Sequence, residues 1–288
     1  MRRTLRSLPV FTILFFGIAA GRISTPAEDR PDASTLLKEV VAHQIKNIDA
    51  RYHYRYVEQE ITEDLGPDNN PRSFDTKEMM WTHTDYDSYV KYLAINGGRY
   101  SQEVINQQQA KIDQQIREAA AKPSDQRNAL RAAMVKERDK EKDFIRSLPD
   151  AFDFQPAGTQ TINGHSSWVF SFTPRPGFRP PSRETVFLKT LTGKIWITEE
   201  EHQLIRLSGT LGDDVDFGGG LFGKVRKGST ITLEQSPVAG GFWMPAFTEM
   251  EFRAKVFVKG ENRIETSRYS HYEAVSNPAA KIEVEKLP

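Results

Sequence analysis

No cysteine occurs anywhere in the 288 residues. That absence excludes a disulfide framework, a thiolate metal site and a cysteine nucleophile. It also excludes lipid attachment to an N-terminal cysteine. Net charge is lacking as well, because 39 Lys plus Arg balance 39 Asp plus Glu; nothing suggests the many phosphate contacts of a nucleic-acid binder. The six histidines, His43, His53, His83, His165, His202 and His271, form no H-E-x-x-H or H-x-H pair. The usual zinc spacings are therefore missing. There is no Asn-x-Ser/Thr sequon.

What is present begins with an export signature. Arg2, Arg3 and Arg6 precede an uncharged stretch, Ser7–Gly21, whose Leu8–Ala20 portion is dominated by Val, Phe, Ile, Leu and Ala. A basic start, an apolar middle and small residues at the end describe a secretory signal peptide. A membrane anchor is the alternative, but the run falls short of the roughly 20 residues a span requires. Small-x-small triplets place cleavage near Ala19, Ala20 and Gly21. The strongly apolar middle favours the general secretory route over the one that reads Arg2-Arg3. The expectation is a free periplasmic or secreted chain: residues 1–21 a signal, 22–33 a leader, and 34–288 one domain with no membrane span after signal removal.

Within that domain, Leu36, Leu37, Val40, Val41, Ile45 and Ile48 recur at helical spacing, predicting a helix from Asp32 or Ser34 to about Asp49. The pattern then turns to period two at Tyr52, Tyr54 and Tyr56, predicting a strand. Further strands are expected at Phe74–Thr84 and Tyr89–Ile95, the last stopping at Asn96-Gly97-Gly98. Residues 101–147 differ, being rich in charge, Gln and Ala and free of Gly. They read as two helices broken at Lys122-Pro123-Ser124, the second reaching Arg146. Such a pair is either a projecting arm that meets a partner or a solvated hairpin along one sheet edge, and charge runs favour the edge hairpin. From Phe152 the chain is β in character. Strands are expected near Trp168–Phe172, Thr185–Thr190, Lys194–Ile197, Leu204–Thr210, Ile231–Leu233, Thr248–Lys259 and Ile264–Tyr272, with a turn at Lys259–Asn262. The fold class is therefore α+β: a large curved antiparallel sheet covered by the N-terminal helix, with a helical hairpin insertion.

Motifs with chemical associations fail on context. Gly218-x-Gly220-x-x-Gly223-x-Val225 overlaps a literal Asp216-Phe217-Gly218, whereas kinases keep those elements far apart. A strand rather than a helix follows, which excludes a dinucleotide fold. The loop is better read as a gate or flap carrying Phe217, Leu221 and Phe222. Asp213, Asp214 and Asp216 lack the calcium-loop pattern. Ser166 and Ser167 lie outside any G-x-S-x-G elbow. The expectation is a non-catalytic protein without cofactor or metal.

The order of elements carries a resemblance. Leu191–Ile197 (L-T-G-K-I-W-I) followed by His202–Leu207 (H-Q-L-I-R-L) resembles a hairpin of the periplasmic outer-membrane lipoprotein-sorting (Lol-type) proteins. Gly228–Ile231, Gly241–Pro245 and Tyr269–Tyr272 resemble later parts of that pattern. The likeness spans about 34–94 and 152–275. It implies a half-opened β-barrel whose apolar inner face holds acyl chains, and hence a carrier or sensor of lipid or lipoprotein. No functional residue transfers by motif. Trp168, Phe170, Phe172, Ile195, Ile197, Phe252 and Val256 are the residues that would face such a cavity, or else form plain core. The competing reading is an envelope interaction module with a packed core, binding another protein through the helices of 101–147 or the loop carrying Pro174, Pro176, Pro180 and Pro181.

Overall fold

A computed structural model describes residues 32–66, 69–182, 185–217, 223–256 and 259–275. Ala19, Ala20, Gly21, Leu221 and Phe222 lie outside the described residues, as do the side chains of Phe217 and Val256.

Helix α1 runs Ala33–Arg51, and its spaced apolar residues Leu36, Leu37, Val40 and Ile48 are buried. Strands β1 (Tyr54–Leu65), β2 (Pro71–His83), β3 (Ser88–Ile95) and the stub β4 (Gly98–Arg99) follow as a meander. Asn96 and Gly97 take φ of +49° and +76°, the left-handed pair that a two-residue hairpin turn requires. Strand β1 is much longer than its apolar alternation predicts. Its second half carries Glu60, Thr62 and Asp64 on one face and Ile61, Glu63 and Leu65 on the other, and is held by lateral pairs, Lys77 to Glu60 at 2.5 Å and Arg263 to Asp64 at 3.1 Å. Two apolar residues interrupted by Glu63 are too weak an alternation to mark a strand.

The insertion forms α2 (Gln102–Ala121) and α3 (Ser124–Ala151). Ser101 caps α2 by accepting from the Val104 N–H at 3.3 Å. Ile112 and Ile116 of α2 pack on Tyr89 of β3, so this helix lines the sheet edge. Helix α3 continues past Arg146 through Pro149, because Phe144, Leu148 and Ala151 reach the main core.

Strands β5 (Phe152–Ile162), β6 (His165–Pro174), β7 (Leu191–Thr198), β8 (Leu204–Leu211), β9 (Val215–Phe217), β10 (Gly223–Val225), β11 (Thr230–Pro237), β12 (Trp243–Val256) and β13 (Lys259–Ala274) complete the chain. Two expectations are corrected. Thr185–Thr190 is no strand but a short 3-10 turn, Val186–Lys189, which drops Leu188 fully into the core before β7 starts. Lys259–Asn262 is no turn but the start of β13, where Arg253 pairs with Asn262 and Val256 with Lys259.

Among the described residues one antiparallel sheet runs β4-β3-β2-β1-β13-β12-β11-β8-β7-β6-β5, with β9 and β10 beside β12. Its ends do not join. The main core lies where α1 and the end of α3 cover β5–β8 and β11, with Phe170, Phe172, Ile195 and Ile197 at its centre. The opposite face carries a smaller cluster of Ile162, Val169, Trp196, Ile205 and Trp243. At Gly193 a Cβ would lie 2.0 Å from the Ser208 carbonyl oxygen and 2.9 Å from the Phe172 ring, so glycine is what lets β7, β8 and that ring close up.

Candidate functional site: a channel under the helices

Three adjoining hollows occupy the helix-covered face of the sheet. The outer one, about 320 Å³, is walled by Phe187, Leu191, Leu211, Val225, Ile231, Met250 and Phe252, with Ser229 and Thr230. The middle one, about 160 Å³, lies beneath α1 and α3. Leu37, Val40 and Val41 face it from α1, Phe144 and Leu148 from α3, and Phe172, Ile195, Leu204, Leu207, Ile231 and Leu233 from the sheet. Gln44 is the one polar residue in its wall. The inner one, about 280 Å³, mixes the two kinds of wall: Gln44, Asn47, Arg51, Glu141, Gln235, Thr248 and Tyr269 meet Ile48, Phe144, Ile145, Leu233, Trp243, Met244 and Pro245 there.

The hollows share walls. Phe187, Leu191 and Ile231 border both the outer and the middle one. Gln44, Phe144, Ile145 and Leu233 border both the middle and the inner one. Local periodicity sets these shared walls side by side. Alternation along β11 sends Ile231, Leu233 and Gln235 to one face, and the helical repeat of α1 stacks Leu37, Val40, Gln44, Asn47 and Arg51.

Helix α1 is fastened over the channel by polar contacts at its edges. Asn47 Nδ2 donates to Gln203 Oε1 at 3.0 Å, and Asn47 Oδ1 accepts from the Trp243 N–H at 3.2 Å. His202 Nδ1 lies 2.5 Å from Glu39 Oε2. Inside the polar end, the Gln44 and Gln235 amides donate to each other reciprocally, both bonds at 2.9 Å. Arg51 pairs with Glu141 of α3 at 2.7 Å. Burial alone would lower the Arg51 pKa, but the Glu141 charge and hydrogen bond outweigh it and the net shift is upward. Arg51 is thus held as a charged guanidinium beside Glu141.

An aromatic cluster adjoins this end. The His83 ring contacts Tyr52, Tyr56 and Trp81 at centroid distances of 5.0, 5.8 and 6.4 Å. Arg138 lies over Tyr52 at 4.6 Å. His83 Nδ1 meets Ser88 Oγ at 2.8 Å, while His83 Nε2 is buried without a partner. Burial first, and then the Arg51 and Arg138 charges, push the His83 pKa down to about 4. Burial likewise raises the Tyr56, Tyr269 and Tyr272 hydroxyls.

Of the residues singled out from sequence, Phe172 and Ile195 line the middle hollow and Phe252 the outer one. Phe170 and Ile197 are fully packed in the core, and Trp168 packs against it while contacting the His202 ring at 5.5 Å. Val256 and Phe217 are placed as backbone in β12 and β9. Sequence reasoning missed Phe187, Leu233 and the whole polar end. The visible signal was Gln44, a polar residue inside the apolar stripe of α1. Among the described residues, no cluster of three or more His, Asp or Glu is arranged to hold a metal. Nor is any helix there long and apolar enough to cross a membrane.

Neither a family model nor a curated protein matches the sequence. Solved structures are similar in fold. A LolA superfamily protein from Nitrosomonas europaea is 11% identical, with 88% of this chain and 99% of that chain covered and a TM-score of 0.34. An outer-membrane lipoprotein-sorting protein domain from Vibrio parahaemolyticus is 8% identical, with 82% and 92% covered and a TM-score of 0.33. A chain of the Pseudomonas aeruginosa MucA/MucB complex is 9% identical, with 85% and 99% covered and a TM-score of 0.24. The first two belong to the group whose hairpin pattern the sequence resembles. Likenesses of this size carry no ligand, activity or partner over to this chain.

Proposed function

We propose that the chain is an exported, non-catalytic carrier that holds an acyl chain, free or borne by a lipoprotein, in the channel under α1 and α3. The observation that carries this reading is the middle hollow. Apolar wall atoms that face empty space forfeit the dispersion contacts a packed core supplies, contacts that larger side chains at Val40 or Leu207 would recover. A fold with no use for the space gains by filling it. The space is also elongated by the outer hollow, and its walls are almost wholly apolar, which suits a hydrocarbon chain better than a compact polar metabolite. The basic-then-apolar N-terminal segment supports export.

The test is native mass spectrometry and lipid extraction of the purified protein. Co-purifying acyl species are expected, and they should be lost when Leu233→Trp fills the middle hollow while circular dichroism stays unchanged. A clean apo mass, with no uptake of added palmitate or acylated peptide, would overturn the carrier reading and favour the interaction module.

A further inference from the structure

Resting on that carrier reading, we infer that the inner end of the channel selects a zwitterionic head group, one anionic and one cationic centre with no net charge, while the acyl tail runs toward the outer hollow. The first support is a common direction of polarity on two separate elements. The inward residues pass from Val40 to Gln44 to Arg51 on α1 and from Ile231 to Leu233 to Gln235 on β11. They change from apolar to polar toward the same end. Along α1 the graded stretch Leu37–Arg51 covers about 21 Å, a length that holds a head and a tail rather than a small solute.

The second support is the amide pair. Gln44 and Gln235 are 5% and 6% exposed, and their reciprocal bonds use one N–H and one oxygen lone pair of each. Each amide keeps one N–H and one lone pair for another partner. Stability does not require the pair, because replacing both members of a buried hydrogen bond by apolar groups of similar shape is close to neutral. A linkage carbonyl or hydroxyl of an amphiphile fits the spare donors and acceptors.

The third support fixes the charge. Arg51 and Glu141 are the facing charges in this hollow, 2.7 Å apart and each partly buried. A purely anionic head would draw Arg51 away and leave Glu141 as an unpaired, half-buried carboxylate, which is costly. A zwitterion gives each member a counter-charge, its anionic centre at Arg51 and its cationic centre at Glu141.

The experiment exposes delipidated full-length protein to mixed vesicles of phosphatidylcholine and phosphatidylglycerol, and measures bound lipid by native mass spectrometry. Palmitate uptake is measured in parallel as a readout of the apolar channel alone. Wild type should prefer phosphatidylcholine by about tenfold, the factor that one well-made charge-assisted contact supplies. Gln44→Leu with Gln235→Leu, and separately Arg51→Met with Glu141→Met, should erase the preference and leave palmitate uptake intact. The charge exchange Arg51→Glu with Glu141→Arg should keep it. Equal uptake of the two phospholipids by wild type, or a preference that survives both apolar doubles, would overturn the head-group inference while the carrier reading stands. Failure to take up palmitate as well as phospholipid would overturn the carrier reading and the inference with it.

Discussion

His83 offers a quantitative handle on how the aromatic cluster is packed. Its pKa is held at about 4 in the folded chain, against about 6.5 when unfolded. Between those values the unfolded state binds a proton that the folded state refuses, so stability rises with pH across this window and is constant outside it. Lowering the pH from 7 to 4.5 should therefore remove about 2.5 kcal/mol through this one side chain, at about 1.36 kcal/mol per unit. Carboxylates also titrate in that range, so wild type must be read against a variant. His83→Phe keeps a ring between Tyr52, Tyr56 and Trp81 and abolishes the titration. Urea unfolding at pH 7 and at pH 4.5, followed by tyrosine and tryptophan fluorescence, gives the two stabilities for each protein. The acid-induced loss should be smaller in His83→Phe by about 2.5 kcal/mol. Identical losses in the two proteins would refute the reasoning, because His83 would then ionise as freely folded as unfolded.

Other perturbations separate packed core from channel wall. Phe170→Ala, at a side chain 1% exposed, should cost about 3–5 kcal/mol in denaturant unfolding; Phe187→Ala, which widens two existing hollows, should cost about half as much. Gly193→Ala should lower stability by about 3 kcal/mol or prevent folding, because its methyl meets backbone and the Phe172 ring and overpacking there has nowhere to relax. The intact mass of protein recovered from the periplasm should correspond to cleavage near Ala19–Gly21, and an uncleaved mass would show an anchor instead.

Much of this architecture is legible in the chain because periodicity is local. The stripe from Leu36 to Ile48 marks α1, and alternating aromatics and the Asn96-Gly97 turn mark strands of the meander. What escaped was non-local. The end of α3 has too few apolar residues for a stripe, yet Phe144 and Leu148 reach the core because α1 lies across from them. Alternation placed Phe170, Phe172, Ile195 and Ile197 on one face, but it could not say which of them border empty space. That depends on how far the helices stand off the sheet. The Gln44–Gln235 pair joins residues 191 apart in sequence, and no window around Gln235 in β11 distinguishes it from an ordinary exposed strand glutamine.

The sheet order also bears on how the chain folds. Strand β13 lies between β1 and β12, so the first long strand and the last sit side by side, with Tyr54 opposite Ala274. The meander β1–β4 and the run β5–β12 can each pair internally as they emerge, and among the described residues β13 is the strand that joins them. Closing so long a loop makes that step slow relative to hairpin formation. Until it occurs, the outer side of β1 and the last-formed side of β12 are unpaired edges, templates for association with other chains. A polar β1, with Glu58, Glu60, Glu63 and Asp64 along it, discourages such pairing, and its polarity thereby guards the interval between synthesis and completion of the sheet.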